Sequence, residues 1–504
     1  MSKKNWRIFY PLLLGIYPAL GLVSVNISQM VFSEGLRSIL VAALFSFAVY
    51  WVFCWRIMDE YKAALLCAWF ILFFFAYGHV FGAVEGVKIF GVVVGRHRFI
   101  FPLWLVVFGA GGWWIYKRSR RLESLSWILN TVSIVLLVIP VIQIGVFEWH
   151  RHRSITGTER EVKTLVTAGT TSLPKDQLPD VYYIILDGYP RQDALLEYHH
   201  FDNSEFIKQL EAIGFYVPSC SQSNYAMTDL SLTSSLNMNY LEGLNPNIHA
   251  IDLNQSIIHS KVRQFLKGLG YYIVSFDSGI WFTELQDADY YINKSQPVVS
   301  SFFDFTHLSE FEILFVRTTV LRLAEEFNAA WLDTLFQNPR KESYERILFE
   351  FDQLDSSPSL PGPKFVFVHI VAPHSSPYIF NADGSFVVSG PADPALGNEL
   401  QFLNERTLEA VRAIIAKSKN PPIIVIQGDH GLDTEVRMAN LIAYYFPNGG
   451  AKVLYPTITP VNSFRLVFDT YFGQRFPLLP DVSYYSPYQD MFAFTKVHYP
   501  CLIK

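Results

Sequence analysis

Charge is what this chain has least of. Only 17% of its 504 residues are Asp, Glu, Lys or Arg, against 51% hydrophobic and 16% aromatic, which is too apolar for a chain that keeps wholly to water. Net charge is -5, so there is no overall basic field to hold nucleic acid, and no nucleic-acid partner is expected. Cysteine is rare as well. The four, at positions 54, 67, 220 and 501, show no C-x-x-C spacing, which argues against a zinc ribbon or a thioredoxin-like site. Cys54 and Cys67 fall in apolar runs, while Cys220 and Cys501 fall in the later part of the chain, where a disulfide is chemically permitted but not dictated. No internal repeat or low-complexity tract is present, and no small-residue cleavage site follows the first apolar run, so a removed signal peptide is not expected.

What the chain does have is five long apolar stretches: Tyr10–Ile27, Ile39–Trp55, Ala63–Val84, Phe99–Tyr116 and Trp127–Phe147. Each is near the ~20 residues needed to cross a bilayer. A five-helix transmembrane region over residues 1–150 is the expectation. Lys3, Lys4 and Arg7 precede the first stretch, Arg56 and Lys62 lie between the second and third, and Lys117–Arg121 separates the fourth from the fifth, which makes those segments cytoplasmic. An odd number of spans then puts everything after Phe147 outside the cytoplasm. Lys88, Arg96 and Arg98 run against this order, but the Lys117–Arg121 cluster is denser. Trp113, Trp114, Trp127 and Trp149 near the span ends fit an interfacial belt, and His79, near the outer end of the third stretch, reads as a snorkelling or hydrogen-bonded ring.

Residues 151–180 are polar and Thr-rich and read as a juxtamembrane linker. From 181 to 504, runs such as "VYYIIL", "YYIVSF", "KFVFVHIV" and "PIIVIQ" alternate with amphipathic segments, which predicts an α/β domain with a mainly parallel sheet and helices on both faces. Phe305–Phe336 is apolar at helical spacing and reads either as a buried helix or as a segment against the membrane or over the site. Ile458–Ser486 has the turn-rich look of a carboxyl-terminal subdomain.

In such sheets ligands bind at the carboxyl ends of the strands. Three strand ends carry unusual chemistry: Asp187-Gly188, "HIVAPHSSPY" with His369 and His374, and Gly428-Asp429-His430-Gly431. Glycines would allow the sharp turn that lets Asp429 and His430 face one point. With Asp187 they would form an oxygen-rich site with one imidazole, suited to Mn²⁺ or Zn²⁺. Taken alone, either motif reads first as a turn. Thr228, at the start of the helix in "SNYAMTDLSLTSSLN", reads equally as an N-cap or as a nucleophile that a metal and a helix amino terminus would activate.

In their order along the chain, Asp187, "NYAMTDLSLTSSLN", "HIVAPHSSPY" and "GDHG" resemble the alkaline phosphatase superfamily. Within it the chain is similar to the membrane-anchored sulfatase-like branch that includes lipoteichoic acid synthases and phosphoethanolamine transferases, which also place five spans ahead of an extracytoplasmic catalytic domain. The resemblance implies that Asp187, Thr228, Asp429 and His430 bind one divalent metal ion and that Thr228 is the nucleophile. It implies that His374 handles the substrate's phosphate or the leaving group. His369 matches a second such histidine, or packs in mid-strand, and Ser231 supports the loop.

Two departures shape the expected function. "TDLSL" lacks the Pro and Arg of the C/S-x-P-x-R frame that sulfatases oxidise to formylglycine, so a sulfatase label would describe fold and not reaction. There is no clear second trio of metal ligands either, and Asp433 reads as a turn carboxylate. The expectation is a membrane-bound transferase that takes a phospho-head group from a phospholipid donor through phospho-threonine to a glycan or lipid acceptor of the cell envelope. A hydrolase of the same fold, and a non-catalytic membrane interaction protein, are the alternatives.

Overall fold

The computed structural model describes residues 8–27, 30, 32–89, 92–118, 122–168, 174, 177–245, 252–294, 308–326, 339–374, 378–387, 396–432, 436–498 and 501. Asp433 lies outside the described residues. The chain forms two units, Met1–Trp149 with Val298–Asn338, and His150–Pro297 with Pro339–Lys504.

The first unit is built on helices α1 (Tyr10–Asn26), α2 (Phe32–Arg56), α3 (Glu60–Val84), α4 (His97–Arg118) and α5 (Leu122–Ala168). Four of them contain stretches long and apolar enough to cross a membrane: Gly35–Arg56, Glu60–Val84, His97–Lys117 and Leu122–Trp149. The expected fifth, Tyr10–Asn26, is a shorter apolar helix of 17 residues. Among the described residues spanning length is thus found four times, with α1 short of it. Asp59 caps α3, accepting from the N–H groups of Tyr61 and Lys62 at 3.1 Å. Trp113, Trp114, Trp127 and Trp149 all face outward, as does His79. α5 continues past the apolar stretch to Ala168, well into residues 151–180. The added residues 151–168 lack an apolar stripe, yet they hold no proline to stop a helix already under way, the first being Pro174.

The described part of Phe305–Phe336 packs against α2 and α3. Ser309 and Glu312 form a capping box at the start of helix Glu310–Arg317. Glu312 also forms an ion pair with Arg37 of α2. Gly78 of α3 donates its N–H to Thr318 O at 2.9 Å. Only glycine permits that approach, because a Cβ there would stand 2.0 Å from Arg317 O. Phe315 lies 5.6 Å from the ring of Phe75, and the Arg322 guanidinium sits 4.7 Å over Phe81.

The second unit holds a six-stranded sheet. Its strands are β1 (Val181–Leu186), β2 (Tyr272–Phe276), β3 (Tyr290–Ile292), β4 (Lys364–Ile370), β5 (Ile423–Gly428) and β6 (Ile442–Tyr445), in the order β3-β2-β4-β1-β5-β6. All pairs are parallel except β5 with β6, so the sheet is mixed. β1, β4 and β5 are buried along their whole length, which is why they read as continuous branched and aromatic runs. Alternate residues serve two cores. Tyr182, Ile184 and Leu186 belong to the core that also holds residues of α7 (Pro339–Ser356) and α8 (Leu396–Lys417). Val181, Tyr183 and Ile185 belong to the core shared with α6 (Thr228–Asn237) and α9 (Pro460–Phe472). Ile458–Ser486 is therefore no separate subdomain: its helix covers one face of the main sheet with Phe464, Val467 and Phe468 fully enclosed.

Near the start of α8, Glu399 turns its carboxylate inward to accept from the N–H groups of Ile379 at 2.7 Å and Phe380 at 3.3 Å. Burial pushes its carboxyl up to about 7 against those hydrogen bonds. A carboxyl raised in the folded state holds its proton after the unfolded chain has released it, so stability falls as pH rises from the unfolded value toward 7 and is level beyond it. The full effect is at most about 4 kcal/mol. Glu399→Gln should flatten part of that fall and raise the melting temperature at pH 8. An unchanged pH profile of thermal unfolding would refute this. Burial also raises Glu284 to about 7 and lifts Glu350 well above the usual carboxylate range, so a residual fall is expected.

Candidate active site

Strand register brings the chemistry together. Leu186, the last residue of β1, is level with Ile370 of β4 and Gly428 of β5. Asp187 and Asp429 therefore follow directly from neighbouring strand ends. Gly188, with φ +71°, donates its N–H to Asp429 Oδ1 at 2.8 Å, and the His430 N–H donates to the same oxygen at 2.9 Å. Gly428 and Gly431 do not have positive φ. Gly428 is required by a close approach instead of a turn: a Cβ there would stand 2.3 Å from Tyr189 O.

Asp187, Asp429 and His430 are all buried, and their ligand atoms lie within 4.8 Å of one another. His430 Nδ1 is 2.9 Å from Gly431 O, so Nδ1 carries the proton and Nε2 offers its lone pair. That Nε2 lies 3.3 Å from Asp429 Oδ2 and 4.0 Å from Asp187 Oδ1. Asp187 Oδ2 and Asp429 Oδ2 are enclosed and have no hydrogen-bond partner among the described residues. Two bare carboxylate oxygens beside an imidazole lone pair fit a divalent cation, since isolated buried anions are otherwise costly.

Thr228 is the first residue of α6. Met227, with φ -127° and ψ 147°, is the cap residue, so the Thr228 side chain does not serve as the helix cap. Its hydroxyl lies 3.4 Å from His430 Nε2. The helix behind it is held from below: Ser231 Oγ donates to Asp429 O at 2.8 Å, Ser223 Oγ donates to the same carbonyl at 2.6 Å, and Ser235 Oγ meets Tyr183 OH at 3.0 Å.

Both histidines of "HIVAPHSSPY" touch Asp187. His374 Nδ1 donates to Asp187 Oδ1 at 2.7 Å, and its side chain is 44% exposed. His369 is fully enclosed in β4, with Nε2 3.3 Å from Asp187 Oδ2 and Nδ1 2.9 Å from Thr283 Oγ1. Burial pushes the Asp187 carboxyl up, but the hydrogen bond from His374 and the close approach of both the His369 and His374 rings outweigh it and hold the group well below the usual carboxylate range. In return, the hydrogen bond to Asp187 and its charge raise His374 to about 9.

Two neighbours carry no signal in the sequence. Arg437, in the turn after His430, donates from Nε to Ala226 O at 2.6 Å and from Nη1 to Leu432 O at 3.1 Å. Its Nη2 lies 2.7 Å from Tyr488 OH and 3.2 Å from His430 Nε2. Tyr488 belongs to a carboxyl-terminal hairpin, Ser483–Tyr485 paired with Thr495–Val497. Ser483 Oγ donates to Ser223 O at 2.7 Å and the Tyr484 N–H to Asn224 O at 2.9 Å, and beyond the hairpin Cys501 forms a disulfide with Cys220.

No family model and no curated protein matches the sequence. Several solved structures are similar to the chain. One is the C-terminal periplasmic domain of EptC from Escherichia coli, at 10% identity over 65% of this chain and 94% of that one, with a TM-score of 0.43. The integral membrane lipooligosaccharide phosphoethanolamine transferase A (EptA) from Neisseria meningitidis is 10% identical over 92% of this chain and 95% of that one, with a TM-score of 0.38. A protein in the alkaline phosphatase superfamily from Vibrio parahaemolyticus is 10% identical over 67% of this chain and 82% of that one, with a TM-score of 0.34.

Proposed function

We propose that the protein is a metal-dependent, membrane-bound transferase that moves a phospho-head group from a phospholipid to a glycan or lipid acceptor of the cell envelope, through a phospho-threonine at Thr228. The observation that carries this reading is the placing of a helix-start hydroxyl 3.4 Å from His430 Nε2, beside two buried carboxylate oxygens that have no hydrogen-bond partner among the described residues. Asp187, Asp429 and His430, with the Thr228 oxygen, would hold Mn²⁺ or Zn²⁺, which when bound neutralises phosphoryl charge and favours ionisation of the hydroxyl. Thr228 Oγ1 loses its proton to water and attacks phosphorus. The bond from phosphorus to the lipid oxygen breaks, and that oxygen takes a proton from His374, whose ring Asp187 holds in place. An acceptor hydroxyl then gives its proton to His374 and attacks phosphorus; the bond from phosphorus to Thr228 Oγ1 breaks, and that oxygen takes a proton back from water. His369 holds the other side of Asp187.

All five amino-terminal helices serve as spans in this reading, with the amino terminus cytoplasmic and residues 181–504 outside. The basic segments and the Cys220–Cys501 disulfide, a bond suited to an oxidising compartment, support that orientation. The test is incubation of the purified protein, loaded with Mn²⁺ or Zn²⁺, with head-group-labelled phospholipids, followed by intact and peptide mass spectrometry. The expected result is a phospho-head-group adduct on Thr228 and release of the lipid remainder. Label that passes only to water marks the hydrolase alternative, and lipid that stays intact with every metal tried refutes the enzyme reading.

A further inference from the structure

Arg437 has no part in the metal set, yet its guanidinium is fixed to both halves of the site. Ala226 O, which it holds at 2.6 Å, lies two residues before Thr228, and Leu432 O, at 3.1 Å, lies two residues after His430. Tyr488 closes the far side, its hydroxyl 2.7 Å from Nη2 and its ring 5.6 Å from the guanidinium carbon. No carboxylate among the described residues forms an ion pair with Arg437. The remaining contact of Nη2 is with His430 Nε2 at 3.2 Å, the atom that also faces the Thr228 hydroxyl. A guanidinium offers five N–H donors in one plane. Two backbone carbonyls and a phenol take three; the second Nη2 donor faces His430 Nε2, beside the Thr228 hydroxyl, and comes free when a cation claims that lone pair, and one Nη1 donor remains.

The geometry points to Arg437 as the anion-binding residue of this site, taking the oxygens of a tetrahedral phosphoryl group that the metal ligands do not reach, with Tyr488 as a positioning residue that acts through it. This rests on the transferase reading above. A planar fork suits two oxygens of one phosphoryl group, and a fixed cation aimed at developing charge needs no reorganisation when the group arrives. The exposed ring of Tyr488, 71% accessible, places this edge of the site at the surface, where a head group can enter.

The test uses the full-length, Zn²⁺-loaded protein in detergent, with inorganic phosphate as the probe in calorimetric titration and labelled phospholipid for kinetics. Arg437→Gln should weaken phosphate binding by about ten- to a hundredfold and raise KM, with bound metal per chain and melting temperature close to those of the parent. Arg437→Lys keeps the charge but not the fork and should fall between the two. Tyr488→Phe should weaken phosphate binding by a few-fold through the lost tether. Phosphate binding unchanged in Arg437→Gln, at full metal content, would overturn the inference and leave Arg437 as a tie between two loops. Should Arg437→Gln lose metal or melt early, Arg437→Lys and Tyr488→Phe decide the matter, and parental phosphate affinity in both would overturn it. If Thr228→Val kept full turnover, the transferase reading would fall by itself, whatever Arg437 does.

Discussion

Thr228→Val should lower turnover of a head-group-labelled phospholipid on the order of 10⁴-fold or more, the usual scale for loss of a covalent nucleophile. The substitution keeps the branched shape and removes only the hydroxyl. The fold should tolerate it, because Met227 is the cap residue of α6 and the residues that hold the helix against the sheet are Ser231, Ser223 and Ser235. A stability change below about 1 kcal/mol is expected for a position with no cap or core duty. Thr228→Ser, which keeps the oxygen, should retain a measurable part of the rate. Activity of Thr228→Val within tenfold of the parent, in the same assay and with the same bound metal, would remove this residue from the chemistry.

Metal removal should be visible without any substrate. A cation at a hundred times its dissociation constant stabilises the folded state by about 2.7 kcal/mol. At about 2–4 °C per kcal/mol, a chelator should lower the melting temperature by about 5 °C or more. Asp429→Asn separates the two jobs of that side chain. Its Oδ1 still accepts from Gly188 and His430, so the strand end keeps its shape. The charge is gone, however, and metal affinity should fall on the order of a hundredfold or more, since even the partners of metal ligands contribute about ten- to a hundredfold. The sign of the stability change should then depend on the metal. With metal present the variant melts below the parent. In chelator it melts at or above the parent, because Asp429 Oδ2 is a buried anionic oxygen with no hydrogen-bond partner among the described residues. A variant that melts below the parent in both conditions would contradict the electrostatic account.

Much of the fold was legible because its central strands are enclosed on both faces. "VYYIIL", "KFVFVHI" and "IIVIQG" advertise themselves as unbroken apolar runs. Edge strands β3 and β6 span three and four residues and gave no comparable signal. α5 outran its expected end because a polar helix continuing from an apolar one leaves no stripe to read. α9 reads as part of a carboxyl-terminal subdomain because Gly473, Pro477 and Pro480 follow it closely, while its place in the fold depends on contacts some two hundred residues away, such as Arg465 with Met238 O at 2.8 Å.

The site divides along the same line. Asp187, Asp429 and His430 sit at strand ends, where a change from apolar run to glycine marks the place, and Thr228 opens a helix. The glycines were legible as necessary but for a different reason in the case of Gly428, where crowding by Tyr189 O decides. Arg437 and Tyr488 could not be read in advance. One arginine in a turn and one tyrosine 51 residues later share no spacing rule, and only the hairpin that carries Tyr488 brings them together.

The return of Val298–Asn338 to the helical unit means that the polypeptide passes between the two units three times, after Trp149, after Pro297 and after Asn338. A single proteolytic nick near residue 150 would therefore not shed the unit that holds the six-stranded sheet, which stays sewn to the helical one at two other seams. The same stitching penalises any attempt to express residues 150–504 as a soluble fragment. Such a fragment would present Phe311 and Phe315, both enclosed against apolar helices of the first unit in the intact protein, to water with nothing to shelter them.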